Sequence, residues 1–349
     1  MKRSELYNLQ IIRGLAALFV VFEHLLPKEV GRFFPQGQIG VSMFFFISGF
    51  VMIYSFKENE TGVTFLKKRI ARIYPSYILL SLPILIYMTT KTDSIVYLLH
   101  NVSLIAFYNW VPYSPDFNFV RSANASPVAW TLYYEMLFYV IFSLSKIFFN
   151  EKLKVALSTA LTILMLLVCF NLIYGNLGEL GWDNVSYIGI CSNLSLLSFI
   201  AGMACPFFWY KKNNKSVPWL VLFIPVMSWF MLNASARLFS EAVLSQQMKD
   251  LLFSSIPSWF FVSVLITRID LQGKVASLLH WLGMISYSLY VVHANFYLIK
   301  KVFSIEAMPV LYQLIFFAVS LMLSVLFATV SYNMIEKRFT VKRAISNAS

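Results

Sequence analysis

Apolar residues in this chain gather into long, nearly uninterrupted blocks separated by short polar connections. A helix that crosses a bilayer needs about 20 mostly apolar residues. Ten blocks fit that description: 9–27, 39–56, 73–90, 127–149, 154–174, 186–210, 217–234, 251–267, 281–299 and 309–334. An eleventh stretch, 94–110, has a shorter apolar run and carries His100, Asn101 and Asn109. The connections hold basic clusters: Lys67-Lys68-Arg69 with Arg72, Lys211-Lys212 with Lys215, and Lys337-Arg338 with Lys342-Arg343. Such clusters mark the cytoplasmic side of membrane spans. With the N-terminus inside and 94–110 outside the bilayer, nineteen Lys and Arg fall on or beside inner segments and eight on outer ones. Counting 94–110 as a span would carry the later clusters outside. The pattern predicts an all-α polytopic transmembrane helical bundle of about ten spans with both termini cytoplasmic. It predicts a single integral-membrane domain over 1–349, with 91–126 as a long extracytoplasmic segment and 337–349 as a basic cytoplasmic tail.

Composition narrows the class further. Of 349 residues, 59% are hydrophobic and 13% charged, where a soluble globule carries about a quarter charged residues. Thirty-three Phe and 19 Tyr argue against disorder. The net charge of +12 lies in juxtamembrane clusters, so it reads as topology and not as a nucleic-acid footprint. Cys169, Cys191 and Cys205 sit in apolar stretches without CxxC spacing, which gives neither a disulfide framework nor a zinc site. Lys2 and Arg3 before an apolar run resemble a signal peptide, but Arg13, Glu23 and His24 interrupt the run. The expectation is an uncleaved first span.

An ionisable group within a span costs at least a few kcal/mol and is a functional candidate by default. Arg13, Glu23, His24, Glu135 and His293 meet that criterion. Arg13 and His24 are eleven residues apart, which puts them within roughly 20° on one helix face and about 16 Å apart along the axis. His24, Glu135 and His293 all fall toward the outer halves of their spans. Two imidazoles and a carboxylate at similar depth make a general acid/base site. Each also has a plainer reading. Arg13 can snorkel to the inner interface, the histidines can bond between helices, and Glu23 points about 100° away from His24. Arg69 and Arg72 share a face at i, i+3. They form either a fork for a phosphate-bearing ligand or a positive anchor. His100 and His280 are read as structural.

Five stretches then resemble, in order, the acyltransferase family 3 integral-membrane acyltransferases. They are LQIIRGLAALFVVFEH at 9–24, GVSMFFFISGF at 40–50, FLKKRIARIYPSY at 65–77, VAWTLYYEMLFY at 128–139 and LGMISYSLYVVH at 282–293. The second and fourth are most similar to the members that acylate exported polysaccharides. The resemblance implies transfer of an acyl group, commonly acetyl, from cytoplasmic acyl-CoA to a hydroxyl of an exported glycan or lipid-linked saccharide. His24 matches the family's essential histidine, Arg13 its arginine partner, and Arg69 and Arg72 its donor-side pair. Glu135 and His293 match the acid and histidine of later motifs. Ser42 and Met284 stand where Asp is frequent, and Lys337-Arg338 where Lys-Pro is common.

The expected mechanism has Arg69, Arg72 and Arg13 holding the CoA phosphates, with the pantetheine arm running along the first helix. His24 is the general base, and Glu135 or Glu23 orients or balances it. An acyl-enzyme route through Ser48 ranks lower. Trp110, Tyr113 and Trp130 are the acceptor-side aromatics, in a region that also holds Asp116, Phe117, Phe119 and Arg121. That region reads equally as an interfacial belt. No metal and no tightly bound cofactor is implied. Membrane lipid and polysaccharide-assembly machinery are the expected partners, and the bacterial inner membrane is the expected location. The rival class is a proton-coupled transporter or flippase of a lipid-linked sugar, although no paired half-repeats are visible.

Overall fold

A computed structural model of the protein describes residues 3–92, 95–105, 129–174, 187–208, 223–238, 245–268 and 272–337. Among these residues every regular element is helical. The order is α1 (Arg3–Leu25), α2 (Lys28–Gly31), α3 (Gly37–Tyr54), α4 (Gly62–Thr92), α5 (Ile95–Ser103), α6 (Trp130–Phe148), α7 (Lys152–Tyr174), α8 (Tyr187–Ser192) and α9 (Leu197–Phe208). It continues with α10 (Ile224–Leu238), α11 (Gln246–Asp250), α12 (Ile256–Arg268), α13 (Lys274–Met284), α14 (Ser286–Val302) and α15 (Val310–Ser331). A π-helical turn, Leu251–Ser255, joins α11 to α12, and another, Tyr332–Glu336, extends α15.

Each of the ten predicted blocks carries a helix. Among the described residues six helical stretches are long and apolar enough to cross a membrane, or seven if the bent pair α13–α14 counts as one. The shortfall has particular causes. The sixth block is broken at Asn193, whose side chain accepts from the Ser195 N–H and starts a short 3-10 turn. α10 is 15 residues long, and α6 carries Glu135, Lys146 and three Tyr. α5 is nine residues, too short to span. Most of 91–126 and the tail beyond Lys337 lie outside the described residues.

Helix α1 lies at the centre because small residues let its neighbours approach closely. A Cβ at Gly14 would collide with the Leu279 carbonyl of α13, and one at Gly283 with the Gln10 carbonyl of α1. Gly40 of α3 sits against the Ala16 carbonyl, while Gly49 and Gly202 make the same contact reciprocally between α3 and α9. Ile12, Ala16, Ala17, Val21 and Leu25 of α1 are fully buried. The outer helices show the opposite pattern. α7 exposes Leu161, Met165 and Leu172, and α15 exposes Leu311, Ile315, Met322 and Leu326. Apolar faces of this extent suit lipid and not water. The protein is a multi-pass helical membrane protein.

Candidate active site

Two groups of polar side chains occupy the interior, one at the C-terminal end of α1 and one around Arg13 near its middle. The first gathers where the last turn of α1 meets α14. The His24 and His293 rings stand edge to face with centroids 5.5 Å apart, and Tyr297 lies 4.9 Å from His24. His293 is fully buried. Its Nδ1 lies 3.2 Å from the Leu289 carbonyl oxygen one turn back, and its Nε2 meets no hydrogen-bond partner among the described residues. His24 is half-buried. Its ring is near the Val20 backbone, and its Nδ1 has no hydrogen-bond partner among the described residues. Tyr290 extends the row, 5.7 Å from His293, with its hydroxyl 2.8 Å from Thr131 of α6. A buried ring nitrogen left without a partner is costly. Here it belongs to one of two facing imidazoles, a residue type able to take up or give a proton.

α14 reaches α1 through a bend. α13 and α14 meet at 74°, and Ile285 carries the break with φ −92° and ψ 2°. Ser286 Oγ secures it on the Gly283 carbonyl at 2.8 Å, and the Tyr287 hydroxyl donates to the Ile73 carbonyl of α4 at 2.9 Å. The same Gly283 that seats α13 on α1 thus precedes the turn that aims His293 at His24.

The second group is ionic. Arg13 interacts electrostatically with Arg72, Glu336, Glu135 and Tyr139, and donates to Gln10 Oε1 at 3.4 Å. Arg69 is buried, its guanidinium 5.0 Å from the Phe65 ring centroid and 5.5 Å from that of Tyr139. The Tyr139 hydroxyl donates to Glu135 Oε1, and Ser48 Oγ donates to the same oxygen at 3.1 Å. Glu336, at the π-helical end of α15, accepts from Ser288 and faces Arg72 and Arg13. Three guanidiniums thus stand against two carboxylates. The surplus is one positive charge on a set of planar forks, the arrangement that receives an anion.

Of the sequence-predicted residues, the structure brings His24 to His293 and Arg13 to Arg72. Glu135 accepts from Ser48 and Tyr139, and its electrostatic neighbours include Arg13 and Tyr290. Glu23 accepts from the Gly37 N–H, which ties the end of α1 to the start of α3. His280 stacks on Tyr7 at 4.3 Å in the α1–α13 contact. Trp130 is buried against Phe45 and Tyr134. Trp110 and Tyr113, with Asp116, Phe117, Phe119 and Arg121, lie outside the described residues. Sequence reasoning missed Tyr139, Tyr290, Tyr297 and Glu336. Glu336 had a readable signal, since it is the acid that closes the otherwise uncharged run of the last span.

Comparisons with known proteins agree with this chemistry. A family model described as an acyltransferase domain matches residues 6–329. Protein 2 in the picA locus of Rhizobium radiobacter is 42% identical over 73 residues, 20% of this chain and 38% of that protein. Acyltransferase MdmB of Streptomyces mycarofaciens is 30% identical over 154 residues, 38% of this chain and 37% of MdmB. Exopolysaccharide production protein ExoZ of Rhizobium meliloti (strain 1021) is 28% identical over 190 residues, 53% of this chain and 55% of ExoZ. The matched stretches span between 37% and 55% of these relatives' own lengths. No solved structure matches. With a matching model that runs through α1, α4, α6 and α14 and so takes in every charged and imidazole group just described except Glu336, the chain belongs to the acyltransferase family 3 of multi-pass membrane proteins.

Proposed function

We propose that the protein is a membrane O-acyltransferase that moves an acyl group, acetyl being the first choice, from cytoplasmic acyl-CoA to a hydroxyl of an exported surface glycan. The observation that carries this reading is the placement of two complementary groups on one face of α1. A guanidinium-rich cluster surrounds Arg13, and an imidazole pair meets His24, with about 16 Å between the two positions by helix rise. Coenzyme A is polyanionic, and Arg69, Arg72 and Arg13 supply the forks for its phosphates. Its thin pantetheine arm extends along α1 and delivers the thioester to the imidazoles. Glu135 and Glu336 balance the arginines and leave the cluster with net positive charge. The cluster is assigned to the cytoplasmic face and the histidines to the outer half, following the basic connections.

His24 accepts the proton of the acceptor hydroxyl as its oxygen attacks the thioester carbonyl. The new C–O bond forms, the C–S bond breaks, and the imidazolium returns the proton to the departing CoA sulfur. His293 shares the pocket and carries the second ring nitrogen available for that relay. The name of ExoZ, an exopolysaccharide production protein, supports a polysaccharide as acceptor; export of that glycan, the inner membrane and polysaccharide-assembly machinery complete the proposed setting.

Membranes containing the protein, incubated with acetyl-CoA labelled in the acetyl group, test the reading. Label appearing in the surface glycan is the expected result. Glycan that crosses the membrane without gaining label identifies a flippase and refutes the transferase.

A further inference from the structure

Helix α14 meets the last turn of α1 along a single stripe. Tyr297 and Lys300 follow His293 by four and seven residues, so the three lie within roughly 60° of one another. The two rings of the stripe face His24 at 5.5 and 4.9 Å. Lys300 reaches the backbone beside them. Its Nζ donates to the His24 carbonyl at 3.1 Å and to the Leu26 carbonyl at 3.1 Å. The residue is 3% exposed.

The last four carbonyls of a helix have no donors within it, and Pro27, which follows α1, has no N–H to offer. Lys300 supplies the missing donors and sets a positive charge at the negative end of the helix dipole. Satisfying a carbonyl does not require an ammonium. Water or a hydroxyl would do so without the several kcal/mol that taking a charge out of water costs. Lys300 also forms a long ion pair with Glu306, but its shorter contacts are the two carbonyls. Glu306 lies 3.7 Å away and is already held by Lys301 at 2.9 and 3.0 Å.

We propose that Lys300 is a positioning residue for acyl transfer: it pins the carbonyl of His24, and so the point from which that imidazole projects, to the helix that carries His293. The inference rests on His24 being the base. Lys300 touches neither donor nor acceptor and takes no proton. A misplacement of about 1 Å at a reacting group can cost on the order of a hundredfold in rate, so a rigid tie at this backbone atom has a kinetic value that exceeds its share of stability.

The test is steady-state transfer from labelled acetyl-CoA to the glycan of host membranes. Wild type, Lys300→Met, Lys300→Arg and His24→Ala are compared at matched protein levels. Lys300→Met is expected to lose at least about tenfold in kcat with less than about a twofold change in KM for acetyl-CoA. Lys300→Arg, whose guanidinium can span both carbonyls, is expected to regain most of the rate. A wild-type kcat in Lys300→Met, a loss confined to KM, or an arginine variant as poor as the methionine one overturns the proposal. If Lys300→Met does not accumulate in the membrane, Lys300→Gln, which keeps one donor, is scored by the same criteria. His24→Ala separates the two readings. Wild-type transfer in that variant means the base assignment has failed. An inactive His24→Ala beside a fully active Lys300→Met means that only the positioning role has failed.

Discussion

Arg69→Lys separates the shape of the donor clamp from its charge. The Arg69 side chain is 6% exposed, and its guanidinium stands 5.0 Å from the Phe65 ring and 5.5 Å from the Tyr139 ring. A cation–π contact contributes about 0.5–1 kcal/mol when exposed and about 2 kcal/mol when desolvated, so the two together hold the group with about 1–4 kcal/mol. Lysine keeps the positive charge but loses the plane and the fork. Losing one charge-assisted hydrogen bond of a bidentate phosphate contact removes about 1.5–3 kcal/mol. At about 1.4 kcal/mol per tenfold, that is roughly a ten- to 150-fold loss of donor affinity. Initial rates against acetyl-CoA concentration, in membranes with matched protein levels, read the effect directly. KM should rise by at least about tenfold while kcat at saturating donor stays near wild type, the signature of lost ground-state binding. An acetyl-pantetheine donor without the nucleotide phosphates should be used equally by both proteins. An unchanged KM for acetyl-CoA would refute the clamp.

Three further outcomes follow from the fold and the site. Gly283→Ala places a Cβ against the Gln10 backbone and should lower stability by about 1–3 kcal/mol; thermal unfolding of the detergent-solubilised protein measures it, and an unshifted midpoint would show that α1 and α13 do not pack this closely. Cysteines substituted at the exposed Glu29 and Glu58, in a cysteine-free background, should react with a membrane-impermeant thiol reagent from opposite sides, Glu29→Cys from outside; reaction of both from one side would overturn the assigned topology. Ser48→Ala removes one of the two described donors to the Glu135 carboxylate and should keep transfer within about tenfold, a hydrogen bond to a charged group contributing about 1.5–3 kcal/mol only where nothing replaces it; complete loss together with a trapped acyl-serine adduct in the wild type would replace direct transfer with an acyl-enzyme.

Much of the architecture was legible because lipid imposes a simple rule on sequence. A helix facing acyl chains must be apolar over a full crossing, and each of the ten blocks read from that rule holds a helix. Blocks that fell short of a crossing did so for local reasons that hydropathy averages away, such as the Asn193 turn within the sixth and the 74° bend at Ile285 before His293. Helix arithmetic placed Arg13 and His24 on one face, and the motifs singled out His293, Arg69 and Arg72. Depth along a helix did not reveal the partners of Glu135. The segment count put it level with the histidines, but its neighbours are set by which face of α6 meets α3 and α4. There its carboxylate accepts from Ser48 and Tyr139. Lys300 was invisible to the same reading because its role is played through backbone carbonyls, which no pattern of side chains records.

The central claim is that the imidazole at the end of α1 removes the acceptor proton. The most direct measurement is the initial rate of labelled acetyl transfer by purified, membrane-reconstituted protein, wild type against His24→Ala, with equal insertion and equal acetyl-CoA binding established for both. General base catalysis contributes about 10²–10⁴-fold, equivalent to about 3–5 kcal/mol of barrier. The account predicts a fall of that size in kcat with donor binding intact. Transfer by His24→Ala at the wild-type rate would contradict it.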